Sequence, residues 1–352
     1  MAKMVLIVDD SALVRKQLGE LIESAGYEID FAKNGQEAVD KASKDDYSVI
    51  TMDINMPIMD GLTAVKKIME VNPTPILMIS SLTTEDAPIT IEAMEFGAID
   101  YVAKPGTFNV NIEENGQEIL RKIRSVSRIS KDKLKSRAIA RHARREISRD
   151  NTVSKSVENK VHTDSVVLIG SSTGGPGLIE EICSWLPEDY PHAVCVVQHM
   201  PEKFTQAFAE RLNRASKVPV KESSDNDELY AGHVYIAKGG THLHFRKKVS
   251  GKITIKHGNS TEKRFFTPSV DEMYISALDV FNPSKVLAVI LTGIGDDGAD
   301  GMVKLKKAGV FTVAESEDSA TVYGMPKEAF LRGGTCEVLP FSKILRKITS
   351  HR

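Results

Sequence analysis

Three polar groups that follow strand-like apolar runs have the chemistry to cleave an acyl bond. Gly170-x-Ser172-x-Gly174 follows Val166–Gly170 with the spacing of a tight turn that exposes a serine hydroxyl. His199 follows Val194–Gln198, and Asp296 and Asp297 follow Val286–Leu291 inside the glycine-rich stretch Thr292–Gly298. A serine hydroxyl is a weak nucleophile until a base takes its proton, and an imidazole needs a carboxylate to orient it. Of two adjacent aspartates, only one can face the histidine. The glycine–serine pattern is weak alone, and other readings compete for it. A glycine-rich turn into a helix also presents N–H groups to an anion such as a dinucleotide pyrophosphate, but G-x-G-x-x-G and the P-loop are both absent. The Ser…Asp…His order of α/β-hydrolases would require Asp225 or Asp271 to pair with His242 or His257, and these lack a clear buried strand before them. His242 and His244 could share a strand face as metal ligands, but no third ligand stands at a sensible spacing.

Residues 1–105 carry a second chemistry. Asp9 and Asp10 follow Met4–Val8, Asp53 follows Tyr47–Met52, Ser80 follows Pro75–Ile79, and Lys104 follows Tyr101–Ala103. Clustered carboxylates repel one another unless a cation compensates, and oxygen ligands with room for water suit Mg²⁺. Acid cluster, metal, hydroxyl and lysine together suit a phosphoryl group accepted by a carboxylate. The plainer alternative makes Asp9 and Asp10 helix caps and Lys104 a surface ion-pair partner. Five such residues at corresponding strand ends weigh against it.

The positioning elements follow from periodicity. In residues 4–105, short apolar runs alternate with amphipathic stretches, such as 12–25 with Leu13, Val14, Leu18, Leu21 and Ile22 on one stripe. Strand–helix repetition implies a parallel sheet covered on both faces, with ligands bound beyond the carboxyl ends of its strands. The same alternation in residues 165–350, with a helix from Leu178 through Ile179, Ile182 and Trp185, brings serine, histidine and aspartate to one sheet edge. The expectation is two α/β domains: a flavodoxin-like one with a five-stranded parallel sheet over 1–125 and a doubly wound one over 165–350. Residues 126–164 would be a basic and polar linker.

Both halves resemble known families. Val8-Asp9-Asp10-Ser11, Asp53 to Gly61, Ser80 and Lys104-Pro105 are similar to the receiver domain of two-component response regulators. That resemblance implies that Asp53 accepts phosphate from a histidine kinase, with Mg²⁺ held by Asp9, Asp10, Asp53 and the backbone of Asn55. It also implies that Ser80 bonds the phosphoryl oxygens, Lys104 pairs with their charge, and Tyr101 reorients on activation. Ser171–Gly175, Gln198–Pro201, Phe208–Asn213, Pro268–Asp271, Leu291–Gly298 and Gly324–Glu328 resemble the catalytic domain of chemotaxis protein-glutamate methylesterases. The implied roles are Ser172 as nucleophile, His199 as base and Asp297 as orienting carboxylate, with Thr173 and Ile294 as backbone oxyanion donors and no cofactor in this domain. The implied substrate is methylated glutamate on the helices of methyl-accepting chemoreceptors, with deamidation of glutamine by the same machinery. Ile294 stands where many relatives carry Met, and Arg264–Pro268 departs from the more basic run usual before Pro-Ser-Val-Asp.

The charge is consistent with this division. Net charge over 352 residues is −2, yet it is −12 over 1–120, +10 over 121–149 and zero over 150–352. The basic run could contact nucleic acid or an anionic surface, but no base-reading motif accompanies it, so a hinge attracted to the acidic domain is expected. Its weak apolar stripe is Ile123, Val126, Ile129, Leu134, Ile139 and Ile147. Three cysteines without metal-site spacing suggest a reducing compartment. With no signal-like segment and no bilayer-length apolar run, a cytoplasmic monomer without membrane insertion or specific nucleic-acid binding is expected. The tethered receiver is expected to cover the serine site until Asp53 is phosphorylated.

Overall fold

The computed structural model describes residues 3–81, 83–104, 112–129, 134, 161–260 and 264–351. Two compact units divide the chain, Met1–Asn151 and Thr152–Arg352. Pro105, Ile139, Ile147 and most of the basic run lie outside the described residues.

The first unit alternates β1 (Met4–Val8), α1 (Ala12–Ser24), β2 (Glu28–Ala32), α2 (Gly35–Ala42), β3 (Val49–Asp53), α3 (Gly61–Val71), β4 (Ile76–Ser80), α4 (Asp86–Phe96), β5 (Asp100–Ala103) and α5 (Ile112–Val126). The strands form one parallel sheet in the order β2-β1-β3-β4-β5. Continuous apolar strands require cover on both faces, and β1, β3 and β4 are buried nearly throughout. Helix starts are set by side chains that accept from the first turn: Ser11 from Val14 N, Asn34 from Glu37 N and Asp60 from Thr63 N. The apolar stripe of the basic run begins inside this domain. Ile123, Val126, Ile129 and Leu134 are buried in the same core as Val5, Ile7, Leu77 and Ile79.

The second unit contains β6 (Val166–Ser171), α6 (Pro176–Trp185), β7 (Ala193–Gln198), α7 (Glu202–Ala215), β8 (Val220–Glu222), β9 (Val234–Ile236), β10 (His242–Lys247), β11 (Ile253–Gly258), α8 (Val270–Leu278), β12 (Val286–Ile290), α9 (Ala299–Lys307), β13 (Phe311–Glu315), α10 (Met325–Leu331), β14 (Glu337–Leu339) and α11 (Phe341–Thr349). Seven parallel strands run in the order β14-β13-β12-β6-β7-β9-β8, while β10 and β11 form an antiparallel hairpin. The chain leaves β6 toward β7 and later returns to its other side as β12, which makes a crevice where the winding reverses. Before β6, His162 bridges Tyr230 and Thr163 N–H bonds Leu229 O, so this stretch already pairs with the second unit.

Packing fixes α8 over the crevice. Met273 and Tyr274 of α8 share a core with Leu168, Cys195, Val197, Ala288 and Ile290 of the sheet and with Leu243, Phe245 and Ile255 of the hairpin. Each such large side chain contributes roughly 1.5–3 kcal/mol by leaving water. Buried Tyr274 also donates its hydroxyl to Val289 O at 2.6 Å. Gly170 is what allows the close approach: a Cβ there would stand 2.3 Å from Val270 Cγ1. Valine in a helix has one favoured rotamer and cannot swing away. Gly170→Ala should therefore cost about 1–3 kcal/mol by overpacking. Urea unfolding of the full chain would show it as a lower midpoint for the catalytic unit, and an unchanged midpoint would contradict this packing.

Candidate active site and phosphoacceptor site

Strand register brings the serine and the histidine together. Ser171 pairs with Gln198 across β6 and β7, so Ser172 and His199 leave adjacent strand ends side by side. His199 N–H donates to Ser171 O at 3.0 Å, and Ser172 N–H donates to Thr292 O at 3.0 Å. The buried Gln198 side chain braces this turn, donating to Ser172 O at 2.9 Å and accepting from Ser171 Oγ at 2.7 Å. Gly293 packs so near Ser172 that a Cβ there would lie 2.9 Å from Ser172 Cβ.

Asp297 reaches the imidazole from the loop after β12. Its Oδ2 lies 2.7 Å from His199 Nε2, and the two side chains are nearly covered. Three more donors converge on the carboxylate: Ser269 Oγ at 2.7 Å, Val270 N–H at 2.7 Å and Asp271 N–H at 3.1 Å. These are the cap and first residues of α8, where unpaired amides and the helix dipole favour an anion. Burial opposes the charge, but the bonds from His199, Ser269 and Val270 outweigh it and hold the Asp297 pKa below the usual carboxylate range. Charge-assisted bonds of roughly 1.5–3 kcal/mol each can offset a desolvation cost of several kcal/mol. The adjacent Asp296 points elsewhere, pairing with Arg332 Nη2 at 2.5 Å, which settles which aspartate faces His199.

With Nε2 on Asp297, the ring nitrogen left over is Nδ1, which is buried with no hydrogen-bond partner among the described residues. No hydrogen bond joins Ser172 to His199 in this state. The Phe266 ring lies flat on the imidazole at 3.8 Å between centroids, tilted 14°. Among the oxyanion candidates, Ile294 is buried and its N–H has no hydrogen-bond partner among the described residues, while the Thr173 carbonyl accepts from Thr292 Oγ1 at 2.8 Å.

The competing constellations do not assemble. Asp225 accepts from the backbone N–H of His257, not from its ring, and the His257 ring bonds Ser223 instead. His242 Nδ1 accepts from Ser269 N–H at 3.1 Å, and burial pushes its pKa below the usual imidazole range. His244 pairs with Glu272 at 2.9 Å, so the two histidines serve the base of α8. Ser269 is the contributor most easily missed in the sequence. Its visible signal is the capping pattern Ser269-x-x-Glu272, in which Ser269 accepts from Glu272 N at 3.4 Å.

In the receiver-like unit, Asp9, Asp10 and Asp53 offer carboxylate oxygens within 4.8 Å of one another, and Asp10 is open to solvent. Lys104 Nζ bridges Asp53 Oδ2 at 2.7 Å and Asp9 Oδ2 at 3.1 Å. Burial first, and Asp9 beside it, push the Asp53 pKa up to about 6 despite Lys104. One ammonium cannot balance three carboxylates, so a divalent cation with its own waters fits this donor set. Ser80 is fully buried at the end of β4. Asn55 is exposed, its side chain donating to Asp86 at 3.1 Å. Tyr101 points inward, with Lys122 Nζ 5.0 Å from its ring centre.

Each of the two units matches a known family. Residues 167–348 match the CheB methylesterase family, and residues 5–115 match the response regulator receiver domain. The chain belongs to the CheB methylesterase family. A protein-glutamate methylesterase/protein-glutamine glutaminase 2 of Carboxydothermus hydrogenoformans is 47% identical over 98% of this chain and 97% of its own. Its counterpart from Archaeoglobus fulgidus is 45% identical over 98% and 96%. The crystal structure of the Thermotoga maritima CheB methylesterase catalytic domain superposes with a TM-score of 0.51 at 39% identity, covering 53% of this chain and 98% of that one. A family hydrolase with a receiver domain, not a nucleic-acid-binding output, is therefore the frame for the basic run. No helix among the described residues is long and apolar enough to cross a membrane.

One titration is a check on the α8 electrostatics. Burial, and then the charge of Asp297, push the Asp271 pKa up to about 6. A carboxyl raised above its unfolded value holds its proton longer when folded, so its contribution to stability falls as pH rises from about 4 to about 6. Asp271→Asn still accepts from Gly301 N–H, so its stability relative to wild type should climb across that window and level off above it. Chemical denaturation from pH 4 to 7.5 measures the difference, and a flat difference would refute the raised value.

Proposed function

We propose that this chain is a phosphorylation-activated protein-glutamate methylesterase. Ser172 attacks the γ-glutamyl methyl ester of a chemoreceptor while its proton passes to His199 Nδ1. Asp297 holds the ring by Nε2 and stabilises the imidazolium that forms. The developing oxyanion is met by the N–H groups of Ile294 and Thr173, each such donor being worth about 3 kcal/mol in comparable sites. Collapse expels methoxide, which takes the imidazolium proton and leaves as methanol. Water, activated by the same nitrogen, then attacks the acyl-serine and frees the glutamate carboxylate and Ser172. A glutamine side chain would give the same acyl-enzyme with ammonia leaving, so deamidation belongs to the same site. The observation that carries this reading is the buried His199–Asp297 pair, with one ring nitrogen unpartnered beside the strand end that bears Ser172.

Control lies in the receiver. Asp53 accepts phosphate from a histidine kinase, Ser80 bonds the phosphoryl oxygens, Lys104 pairs with their charge, and buried Tyr101 is the ring that reorients. Asp9, Asp10, Asp53 and the Asn55 carbonyl would hold Mg²⁺, which supplies charge neutralisation for phosphoryl transfer. The expected limits of 1–125 for the receiver, 126–164 for the linker and 165–350 for the catalytic domain shift with the packing, which gives Val126, Ile129 and Leu134 to the receiver and His162 and Thr163 to the catalytic unit, and the protein works in the cytoplasm.

Methanol release from methylated receptor membranes tests reaction and substrate together. Ser172→Ala and His199→Gln should each fall to background, and Asp297→Asn should lose roughly 10²–10⁴-fold. Asp53→Asn should keep basal turnover but lose stimulation by a phosphodonor. Equal release by wild type and Ser172→Ala would defeat the catalytic assignment, and equal release with and without phosphodonor would defeat the regulatory one.

A further inference from the structure

A single hydrogen bond fixes one edge of an imidazole but leaves the ring free to rock about that bond. In His199 the edge is held by Asp297 at Nε2, and the second in-plane nitrogen is unpartnered. Among the described aromatic contacts, the plane itself is covered by the Phe266 ring at 3.8 Å and 14°. Bond and stack act at right angles, and together they leave the ring a single orientation.

The loop that carries Phe266 is tied to the element that carries the carboxylate. Arg264 Nε bonds Glu272 Oε1 at 2.9 Å, and its Nη1 lies 3.8 Å from Asp271 Oδ2. Thr267 O accepts from Gly240 N–H at 3.3 Å on the other side. Glu272 and Asp271 stand in the first turn of α8, whose leading amides grip Asp297. One helix end therefore positions both constraints on the imidazole. Phe265 packs edge-on against Phe266 at 4.8 Å and is itself 80% exposed, so the pair forms an aromatic cap reaching from solvent to the base. The face of an aromatic ring also attracts a cation, and the imidazole becomes one when it takes the serine proton.

We propose that Phe266 is a positioning residue for the hydrolysis, clamping the plane of the His199 imidazole so that Nδ1 keeps one direction for the serine proton. The proposal rests on the assignment of His199 as base. Misplacing a reacting group by about 1 Å can cost as much as 10²-fold, so loss of the clamp is felt in the chemical step more than in binding.

The test compares Phe266→Leu, which fills the space without a flat face, with Phe266→Tyr, which keeps the face, in the full chain. Phe266→Leu should lower kcat by roughly ten-fold with KM changed by less than about two-fold, and Phe266→Tyr should restore most of it. A wild-type kcat in Phe266→Leu, a loss confined to KM, or an equal loss in Phe266→Tyr would each overturn the clamp. A second readout needs no turnover. The ring carbons and protons of His199, assigned by comparison with His199→Gln, should resonate upfield in wild type relative to Phe266→Leu because of the stacked ring. Identical shifts overturn the proposal even if Phe266→Leu is poorly folded in the assay. A wild type that releases no methanol defeats the methylesterase reading instead, and the resonance comparison still decides the stack.

Discussion

An ionised carboxylate buried at a helix end is the constraint around which the catalytic domain is built. Asp297 is nearly covered and keeps its charge because Ser269, Val270, Asp271 and His199 all donate to it. Those donors exist only if α8 begins where it does, and α8 can lie there only because Gly170 lets Val270 touch the sheet. The histidines His242 and His244 support the same helix end, one by accepting the Ser269 amide and the other by pairing with Glu272. The imidazole then receives its orientation from a group that is itself immobile.

The two sites show how donor supply decides the state of a buried acid. Asp53 closes β3 and Asp297 sits in the loop after β12, and both side chains are nearly covered. Asp297 has four donors and is held below the usual range, whereas Asp53 has Ile54 N–H, one shared lysine and an acidic neighbour, and is pushed up to about 6. An undercompensated acid cluster suits a divalent cation, which is what the proposed phosphoryl chemistry would use. A fully compensated acid is poised to do nothing except hold its histidine.

Much of this was legible without coordinates, for a physical reason. In a doubly wound sheet a polar residue after an apolar run sits at the ligand-binding edge, so Ser172, His199, Asp53 and Lys104 could be placed by position alone. Element edges moved by a residue or two: β3 covers Val49–Asp53, so Asp53 closes its strand instead of following it. One receiver strand, β2 (Glu28–Ala32), carries no continuous apolar run because it is an edge strand only partly buried. The stripe Ile123, Val126, Ile129 and Leu134 reads as part of a basic connector, yet it is receiver core, since positive charge on the outer face of a helix masks the apolar face beneath.

The sequence by itself determined the two α/β units, the residue types at their strand ends and the chemistry those types permit, because periodicity and strand-end position are local properties of the chain. Only the tertiary structure decided which of Asp296 and Asp297 meets His199, which ring nitrogen is left over, and that Ser269 and Phe266 belong to the site. Those choices depend on the start of α8 meeting a loop 26 to 28 residues further on, and on a ring 67 residues from its partner in the chain. Contacts at that separation are set by how sheet, hairpin and helix pack, and no spacing within a motif encodes them.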